Sequence, residues 1–540
     1  MKDRRKRPPL FLVFRCTLSF LIILVFLFTF STLRLLFTEK YHPNLLSSWM
    51  TSPSEVISSD SLTATSGISV AETVTFPDQV LILLKYPPST PLLTKDEINC
   101  VYYSPNTSLK SRSSPLSIDH QIVRCNLPPR GMIPSVGLKA RGDLIPGPTH
   151  DWKSLAYEAL IDRDNTTVVF VKGLNLRSGK LSNSSKFECV YGSDLTNRQL
   201  VLRSEVISIA QEIVRCKTPL SILNFTQKGK INYYFKVSVK IKGRGILGSI
   251  ARPGFWAEPD PLVLKKHMVC VCTMLRNQAR FLPEWVMYHG RIGVERWFIY
   301  DNNSDDNVEE VIEVLNDQGF KITRHVWPWI KTQEAGFAHC ALRARDFCKW
   351  VAFIDVDEFM HLPYGDGLGS VINNQSSRSD VAELRVSCHN FGPSGLKQVP
   401  LEGVTVGYTC RLGLPERHKS IVQPDKLNPT LINVVHHFHL KDGFKHVNVD
   451  RNLMVINHYK FQVWEVFKEK FYRRVATYVS DWQQEENVGS KDRAPGLGTR
   501  AVEPDDWSSR FCEINDTGLR DWVVKTFSDP LTGSLPWQQK

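Results

Sequence analysis

Residues 349–359 read KWVAFIDVDEF, and this stretch decides the fold of the second half of the chain. Its apolar part predicts a buried strand, and Asp355, Asp357 and Glu358 follow at the strand's carboxyl end. Carboxylate oxygens at this spacing suit Mg²⁺ or Mn²⁺, and such an ion can neutralise the charge that develops on a departing diphosphate. The alternative is an ordinary strand-end turn with solvated acids.

The sequence before this stretch alternates between strand and helix patterns. HMVCVCTML (267–275), ERWFIYD (295–301) and KITRHVW (321–327) predict strands, and the helices fall at 277–293, 305–319 and 332–350. Such alternation builds a mostly parallel sheet with helices on both faces, so we expect an α/β domain over residues 265–540. In these sheets ligands bind beyond the carboxyl ends of the strands.

Polar side chains converge on that same edge. FIYDNNSDD ends the second strand with Asp301, Asn302, Ser304 and Asp305, although the same residue types also favour a helix cap. Arg276 follows the first strand, and Gln333 and His339 precede the fourth. These groups would offer donors and acceptors to a nucleoside.

In order and spacing, the chain resembles glycosyltransferase family 92, which has the GT-A fold. The residues that carry the likeness, over about 267–470, are MLRNQARFLPEWVMYHGRIGV, FIYDNNSDD, Gln333, KWVAFIDVDEF, NFGPSG and INHY. Within that family the likeness extends to the plant β-1,4-galactan synthases. It implies transfer of galactose from UDP-galactose to β-1,4-galactan side chains of pectin, in the Golgi, with inversion at the anomeric carbon and Mn²⁺ or Mg²⁺ as the ion.

The resemblance also assigns roles to residues. It makes Asp355 and Asp357 metal ligands, with His458 of INHYK preferred as a third ligand over VVHHFHL at 434–440. The residues expected to bind the nucleotide sugar are Arg276, Asp301, Asn302, Ser304, Gln333, His339 and Glu358.

An inverting reaction needs a base on the acceptor side of the sugar, and the resemblance places it after a glycine-containing loop. That loop, with Asn390, Phe391, Gly392 and Gly395, is expected to contact the donor or the acceptor. We predict Glu416 as the base, with Asp425 and Glu402 as alternatives. A salt bridge to Arg417 or Lys419 is the structural alternative for Glu416.

Residues 76–258 form a second, β-rich region with an internal sequence repeat. INCVYYS and IVRCNLP in its first half return as FECVYGS and IVRCKTP in its second. The nearly equal separations suggest disulfides Cys100–Cys125 and Cys189–Cys216, although other pairings, or four buried thiols, are open. Residues 231–242 alternate apolar and polar side chains, and with the Pro and Gly punctuation they predict a β-sandwich. The resemblance implies a carbohydrate-binding module.

The amino terminus predicts a membrane anchor. Residues 1–15 form a basic tail, and the 18 residues from Cys16 to Leu33 carry no charge, about 27 Å of helix, so we predict an anchor over 16–34. A cleaved signal peptide would be shorter and would end at small residues. The basic side stays cytoplasmic, which gives a single-pass type II protein with its catalytic part in the lumen. Residues 35–75 form a stem, since 14 of the 29 residues from Ser47 to Thr75 are Ser or Thr.

Composition excludes several classes. With 42% hydrophobic and 23% charged residues, the 540-residue chain is neither disordered nor a multi-span membrane protein, and its length predicts two folded domains. The excess of 12 basic residues lies largely beside the anchor, so we expect no nucleic-acid partner. Eleven of the 12 cysteines would be lumenal, so at least one stays free or pairs between chains, and a homodimer is possible. Candidate glycosylation sequons occur at Asn106, Asn165, Asn183, Asn224, Asn302, Asn374 and Asn515.

Two other functions compete with the transferase. A phosphatase with an Asp-x-Asp nucleophile would carry FIDVDEF on the first strand of its domain, whereas here three strand and helix units precede it. A non-catalytic lectin would not need Asp355, Asp357 and the polar residues at the nucleoside edge. The donor sugar and the acceptor length are not encoded in any pattern of the sequence.

Overall fold

The computed structural model describes residues 67–538, except 88–89, 175, 177–179, 198–200, 228–234, 256–266, 366, 435–436 and 479–502. The predicted tail, the anchor and the stem before Gly67 lie outside the described residues. Among the helices that are described, none is long and apolar enough to cross a membrane. The chain from Gly67 to Lys540 forms one compact unit.

The first β-unit is a sandwich of two sheets. Its strands are β1 (Ser69–Thr75), β2 (Gln79–Lys85), β3 (Ile98–Tyr103), β4 (Lys110–Ser113), β5 (Ser117–Asp119), β6 (Ile122–Asn126), β7 (Ile133–Leu138), β8 (Gly142–Asp143) and β9 (Thr149–Asp151). One sheet has the order β5-β6-β2-β1-β9 and the other β4-β3-β7-β8. The disulfide Cys100–Cys125 joins β3 to β6 across the core, as predicted. Strand β1 lies in the stretch predicted as stem, and it is a strand despite its Ser and Thr content because four of its seven residues, Val70, Glu72, Thr73 and Val74, are buried.

The second β-unit repeats the first as one nine-stranded sheet. Its elements are β10 (Leu155–Ile161), β11 (Thr166–Lys172), β12 (Phe187–Gly192), β13 (Leu202–Ala210), β14 (Ile213–Lys217), helix α1 (Leu220–Gln227), β15 (Lys236–Ile241), β16 (Gly245–Ile246), β17 (Gly248–Ser249) and β18 (Gly254–Phe255). The order is β16-β15-β12-β13-β14-β11-β10-β17, with β18 also on β10. The predicted Cys189–Cys216 disulfide is present. Of the alternating stretch at 231–242, residues 231–234 lie outside the described residues.

The internal repeat in the sequence is therefore also a repeat in the structure. Strands β1 and β10 carry the same irregularity, just before Glu72 and just before Glu158, and both IVRC strands follow a left-handed residue, His120 or Gln211. The units differ where Pro115 stands in the first. Proline has no N–H to donate, and the single strand β13 of the second unit is split there into β4 and β5. We call the two units together the β-module.

The α/β domain follows. Its strands are β19 (His267–Leu275), β20 (Arg296–Asp301), β21 (Ile322–Val326), β22 (Cys348–Phe353), β23 (Glu358–His361), β24 (Val381–Asn390), β25 (Cys410–Arg411), β26 (His418–Val422), β27 (Asn433–Val434), β28 (His437–Phe438), β29 (Lys445–Asn448), β30 (Val455–His458) and β31 (Ile514–Asn515). Its helices are α2 (Leu282–Ile292), α3 (Val308–Asp317), α4 (Gln333–Ala344), α5 (Leu368–Gln375), α6 (Val404–Gly407), α7 (Trp464–Tyr478) and α8 (Gly518–Phe527).

The main sheet of this domain has the order β21-β20-β19-β22-β26-β24-β30-β23, with β29 on β24. Strands β19 to β22 are mutually parallel, whereas β26 is antiparallel to both of its neighbours. This confirms the predicted α/β domain with a partly parallel sheet. It also brings the carboxyl ends of β19, β20 and β22 to one edge.

The two faces of the sheet have different covers. Alternation along β19 sends Val269 and Val271 into a core with α2 and α3, and Cys270 and Cys272 into a core on the other face. That second core contains α4 together with Trp152 and Tyr157 of the β-module. We predicted helices on both faces of the sheet. On the second face, helix α4 and the β-module cover the sheet together, because aromatic side chains of the β-module complete the core.

Because Cys270 and Cys272 lie on one face of a strand and cannot readily bridge each other, the sequence predicts core thiols there, and this prediction is wrong. They share a face and do not bond each other, but Cys270 bonds Cys348 on the neighbouring strand β22 and Cys272 bonds Cys340 on α4. The third predicted helix was also too long, because α4 ends at Ala344 and β22 already begins at Cys348. A fifth disulfide joins Cys410 to Cys512, and Cys388 is a free, buried cysteine.

Candidate functional site

The acidic stretch lies where it was predicted, in the turn between β22 and β23. Glu358 N–H donates to the Asp355 carbonyl at 3.0 Å, and the Asp355 N–H donates to the Glu358 carboxylate at 3.0 Å. These reciprocal bonds close the turn. Asp355 stays one-third exposed, while Asp357 is 13% exposed and Glu358 is fully buried.

His458 joins this acidic turn through strand pairing. Strand β30 runs antiparallel to β23, so that His458 stands opposite Glu358. Its Nε2 lies 3.4 Å from Oδ2 of Asp357, and its Nδ1 lies 3.6 Å from Oε1 of Glu358. The other histidine cluster is separate: His437 contacts Ser420 at 2.7 Å and Glu383 at 3.5 Å.

Two lysines that no motif marked bind the acidic turn. Lys419 Nζ, from β26, lies 2.9 Å from both Asp355 Oδ2 and Glu358 Oε1. Lys470, from α7, forms an ion pair with Asp357. Glu358 is thus held between Lys419 and His458, and its full burial gives it a supporting place rather than the predicted open contact with a nucleotide sugar.

The surroundings set the protonation of these groups. Burial opposes ionisation of Asp357, but Lys470 and His458 outweigh it and hold its pKa well below the ordinary value. Burial lowers the pKa of His458 to about 4, against the opposing effect of Asp357. Near neutral pH the pair is therefore a carboxylate beside a neutral imidazole, the protonation states in which both side chains bind metals.

The donor set fits a divalent cation in chemistry and in part in geometry. A spacing of 3.4 Å between Asp357 Oδ2 and His458 Nε2 is close to that of two ligands on one ion with bonds of about 2.1 Å. Asp355 would turn from Lys419 to join them. In the described part of the chain, no three His, Cys, Asp or Glu side chains are already gathered as a metal site.

Glu416 lies beside His458 along the sheet. Asn390 of β24 pairs with His458, and its Nδ2 donates to Glu416 Oε2 at 2.6 Å; Lys460 Nζ donates to the same oxygen at 3.2 Å. Partial burial would raise the pKa of Glu416, but Lys460 and Asn390 lower it below the ordinary value. Its side chain is half exposed. The structural alternative was a salt bridge to Arg417 or Lys419; the ion pair that the structure describes is with Lys460, and the charge of Arg417 also lowers the Glu416 pKa.

The two alternative bases lie in other surroundings. Asp425 pairs with Arg163 of the β-module at 2.9 Å. Glu402 is exposed, and its carbonyl accepts a hydrogen bond from Trp537 near the carboxyl terminus. Glu416 is the candidate whose partner Asn390 pairs with His458, and this contact favours Glu416.

Phe391 and Gly392 of the glycine-containing loop are packed against other parts of the chain. Phe391 is buried against Tyr459, with ring centres 4.8 Å apart. A Cβ at Gly392 would lie 2.5 Å from the Arg510 carbonyl, and Gly395 has φ +82°, so both positions need glycine. Of the four predicted loop residues, two contact other residues of the site: Asn390 donates to Glu416, and the Phe391 N–H donates to the His458 carbonyl at 2.9 Å.

The loops after β19 and β20 meet as predicted. Arg276 lies 3.3 Å from Asp305, and the Asn277 N–H donates to Ser304 Oγ at 3.0 Å. Asp301 is buried and pairs with Arg324. Asn302 donates from Nδ2 to the Trp327 carbonyl at 2.7 Å, which uses the atom that a glycan would need. The other six sequons have exposed asparagines.

His339 does not reach this edge. It is 2% exposed, and its Nδ1 lies 2.7 Å from the Tyr300 hydroxyl among the aromatic side chains under the sheet. Burial holds its pKa well below the ordinary value. Helical periodicity turns His339 into the core, away from the edge at which we predicted the nucleotide, while Gln333 stands at the start of α4.

The comparisons with known proteins agree with this geometry. The sequence profile of glycosyltransferase family 92 matches residues 265–489. The glycosyltransferase family 92 protein RCOM_0530710 of Ricinus communis is 62% identical, over the full length of both chains. The chain belongs to glycosyltransferase family 92. Another family 92 protein, Os08g0121900 of Oryza sativa subsp. japonica, is 51% identical over 92% of this chain and 89% of that protein.

Weaker matches concern galactan. The galactan beta-1,4-galactosyltransferase GALS2 of Arabidopsis thaliana is 28% identical over 148 residues, which is 25% of each chain. Among solved structures, S. aureus TarS is 12% identical and covers 38% of both chains with a TM-score of 0.25. This family 92 chain is a glycosyltransferase.

Proposed function

We propose that this protein is an inverting, metal-dependent glycosyltransferase of the GT-A type that uses a UDP-sugar as donor. The observation that carries the proposal is the group formed by Asp355, Asp357 and His458 at the carboxyl edge of the sheet. Asp357 and His458, with Asp355, would hold Mn²⁺ or Mg²⁺. The ion would supply positive charge to the diphosphate as it leaves.

The chain's own residues supply the remaining chemistry. The acceptor hydroxyl loses its proton to Glu416 while its oxygen bonds the anomeric carbon, and the bond from that carbon to the UDP oxygen breaks. Among the described residues, the contacts of Asn390 and Lys460 fall on Oε2 of Glu416, so Oε1 is the oxygen we expect to take the proton. The half-exposed position of Glu416 gives an acceptor access to it.

The metal site can be tested by Asp355→Ala and Asp357→Ala in the chain from Gly67 onward. We expect transfer to fall at least about 100-fold with little change in Tm, because each change removes charge stabilisation of the leaving group. Chelation should abolish transfer and Mn²⁺ should restore it. Asp317→Asn, at the exposed end of α3, is the matched control. Near-normal transfer by either alanine variant would refute the metal role.

For specificity we propose UDP-galactose as donor and β-1,4-galactan of pectin as acceptor. The support is the resemblance in sequence and the match to GALS2 over a quarter of the chain. The test is a panel of UDP-sugars with labelled galactan oligosaccharides and unrelated glycans. Transfer from another UDP-sugar, or to another glycan, would replace this specificity and leave the reaction type intact.

We propose a Golgi membrane location with the catalytic part in the lumen. Five disulfides in the described residues support an oxidising compartment, since such bonds are rare in the cytosol. The apolar stretch at 16–34 would be the anchor. Protease protection of the tagged chain in sealed vesicles tests this orientation, and digestion of the carboxyl terminus from outside would refute it.

We also propose that the β-module binds carbohydrate. Its large aromatic side chains Trp152, Tyr157 and Phe170 are buried towards the α/β domain, so they are not a stacking surface for sugars. A groove of about 910 Å³ on the second unit is lined by Ser193, Asp194, Thr196, Arg203, Lys236 and Lys240, among others. Pectic oligosaccharides should bind the wild type, and Lys240→Glu should weaken that binding. Equal binding by both proteins would exclude the groove.

A further inference from the structure

The first β-unit reaches the nucleoside edge directly. Arg124, in the IVRC strand β6, donates from NH1 to Asp305 Oδ1 at 2.6 Å and to the Asn303 carbonyl at 3.5 Å. Its Nε donates to Gln79 within the first unit at 3.0 Å. The Arg124 side chain is 8% exposed, so this contact is built into the boundary between the β-module and the α/β domain.

Asp305 also contacts a residue that we predicted to bind the donor. Its second oxygen, Oδ2, lies 3.3 Å from Arg276, and its N–H donates to Asn277 Oδ1 at 2.7 Å. Arg124 therefore holds the loop after β20, which in turn holds the loop after β19. Asn277 and Asn303 both have left-handed backbones, with φ of 52° and 60°, and such residues persist where surrounding contacts fix them.

A second contact from the same unit supports the start of this loop. Asp119 pairs with Arg324 at 3.3 Å, and Arg324 donates from Nε to the buried carboxylate of Asp301 at 2.9 Å. Asp301 accepts the Ser304 N–H at 3.0 Å. The loop 301–305 is thus held at both ends by charged side chains of the β-module.

The second unit offers an internal comparison. Its equivalent of Arg124 is Arg215, which instead donates to Asp162 at 2.8 Å and to the Pro429 carbonyl at 2.9 Å. Its equivalent of Asp119 is Ala210, which carries no charge. One repeat has residues directed to the nucleoside edge and its copy does not.

We infer that Arg124 and Asp119 are positioning residues for donor binding, so that the first β-unit is a working part of the nucleotide site. This rests on the proposed function, which makes the loop 301–305 a nucleoside-binding loop. The β-module would then act on the donor side of the reaction, independently of any glycan that it binds.

The test measures UDP affinity by calorimetry and the kinetics of transfer for the chain from Gly67 onward. Arg124→Gln and Asp119→Asn should each weaken UDP binding and raise the donor KM about tenfold, with acceptor KM and kcat within about twofold. Arg124→Lys, which keeps the charge, should recover part of the affinity. Arg163→Gln is the control, because it removes a half-exposed ion pair to Asp346 across the same boundary, away from the loop.

The outcomes are distinguishable. If Arg124→Gln lowers Tm and leaves UDP affinity and donor KM unchanged, Arg124 is an interface residue and the inference is wrong. Should Arg124→Gln fail to fold, Asp119→Asn and Arg124→Lys decide the question by the same measurements. If the wild type binds no UDP and transfers no sugar, the proposed function fails and takes this inference with it.

Discussion

At the scale of single residues, Glu416 combines two properties of a base for an exposed acceptor. Lys460 and Asn390 lower its pKa against partial burial, so it is ionised near neutral pH, and Asn390 fixes its carboxylate next to the strand that carries His458. A lowered pKa makes a weaker base, and the fixed position compensates because proton transfer depends first on geometry.

Glu416→Gln keeps the shape of the side chain and removes its ability to accept a proton. We expect transfer to fall about 100- to 10,000-fold while UDP affinity is unchanged, measured by initial rates and calorimetry. Asp425→Asn is the control, since Asp425 belongs to the ion pairs with Arg163 and should leave transfer nearly intact. Rapid transfer by Glu416→Gln would move the base to another carboxylate.

The sequence predicted some residues of this site and missed others for a physical reason. Asp355 and Asp357 directly follow a strand, so local pattern and sheet topology are enough to place them. Lys419 and Lys470 reach the turn through long, flexible side chains from distant elements, and no local pattern reports where such a side chain ends. His339 was misplaced because its side of α4 depends on what covers the sheet.

At the scale of elements, strand β10 carries an unusual carboxylate. Glu158 accepts a hydrogen bond from the Trp329 Nε1 at 3.3 Å, and burial raises its pKa to about 7, against the opposing effects of Trp329 and Arg343. The native state therefore holds this proton up to about pH 7, whereas the unfolded state releases it near pH 4.5. Its contribution to stability is complete below pH 4.5 and is lost as the pH rises through 7.

Glu158→Gln imitates the protonated carboxyl and removes this dependence. We expect the variant to be about 1 to 3 kcal/mol more stable than the wild type at pH 8, with most of the difference gone at pH 4.5, as measured by denaturant unfolding. Glu205→Gln, on the exposed side of β13, should behave like the wild type at both pH values. Equal stability of wild type and Glu158→Gln at pH 8 would show that Glu158 is ionised in the native state.

The sequence predicted strands and helices reliably where the hydrophobic pattern extended over many residues, as in β19 to β22 and α2 to α4. They failed at ends and in polar strands. The helix prediction ran through Phe347 and Cys348 because both residues are apolar, and the β19 partner that draws Cys348 into the sheet is far away in sequence. Strand β1 was hidden by its Ser and Thr residues, which are three of its seven residues.

At the scale of the whole molecule, the β-module and the α/β domain share a core. Trp152 stacks on Trp329 with ring centres 5.6 Å apart, and Phe170 meets Trp327 edge to face at 6.2 Å. Sequence could not predict this contact, because the pattern of an aromatic residue shows that it is buried but not what buries it. The division into two regions was predictable from the change from strand patterns to alternating strand and helix patterns. The packing of the two regions against each other was not predictable.

A chain reduced to residues 267–540 should therefore be far less soluble than the chain from Gly67. Truncation would expose Trp327, Trp329 and Phe298 on the uncovered face of the sheet, and large exposed apolar patches promote association. Size-exclusion chromatography and soluble yield measure this directly. A monodisperse, active 267–540 fragment would contradict the shared core and restore the view of the β-module as a separable domain.

The rate at which a reagent modifies the buried thiol of Cys388 would measure how often the surrounding part of this enzyme opens. It is 2% exposed on β24, and burial together with the nearby Glu358 carboxylate raises its pKa, so its nucleophilic thiolate is scarce in the native state. The other ten cysteines that the structure describes are bonded in pairs. A maleimide should therefore label the chain from Gly67 once, and only as fast as the strands around the acidic turn separate. Because UDP and Mn²⁺ would bind the closed form, they should slow that labelling, and the ratio of rates would report donor affinity without any sugar being transferred.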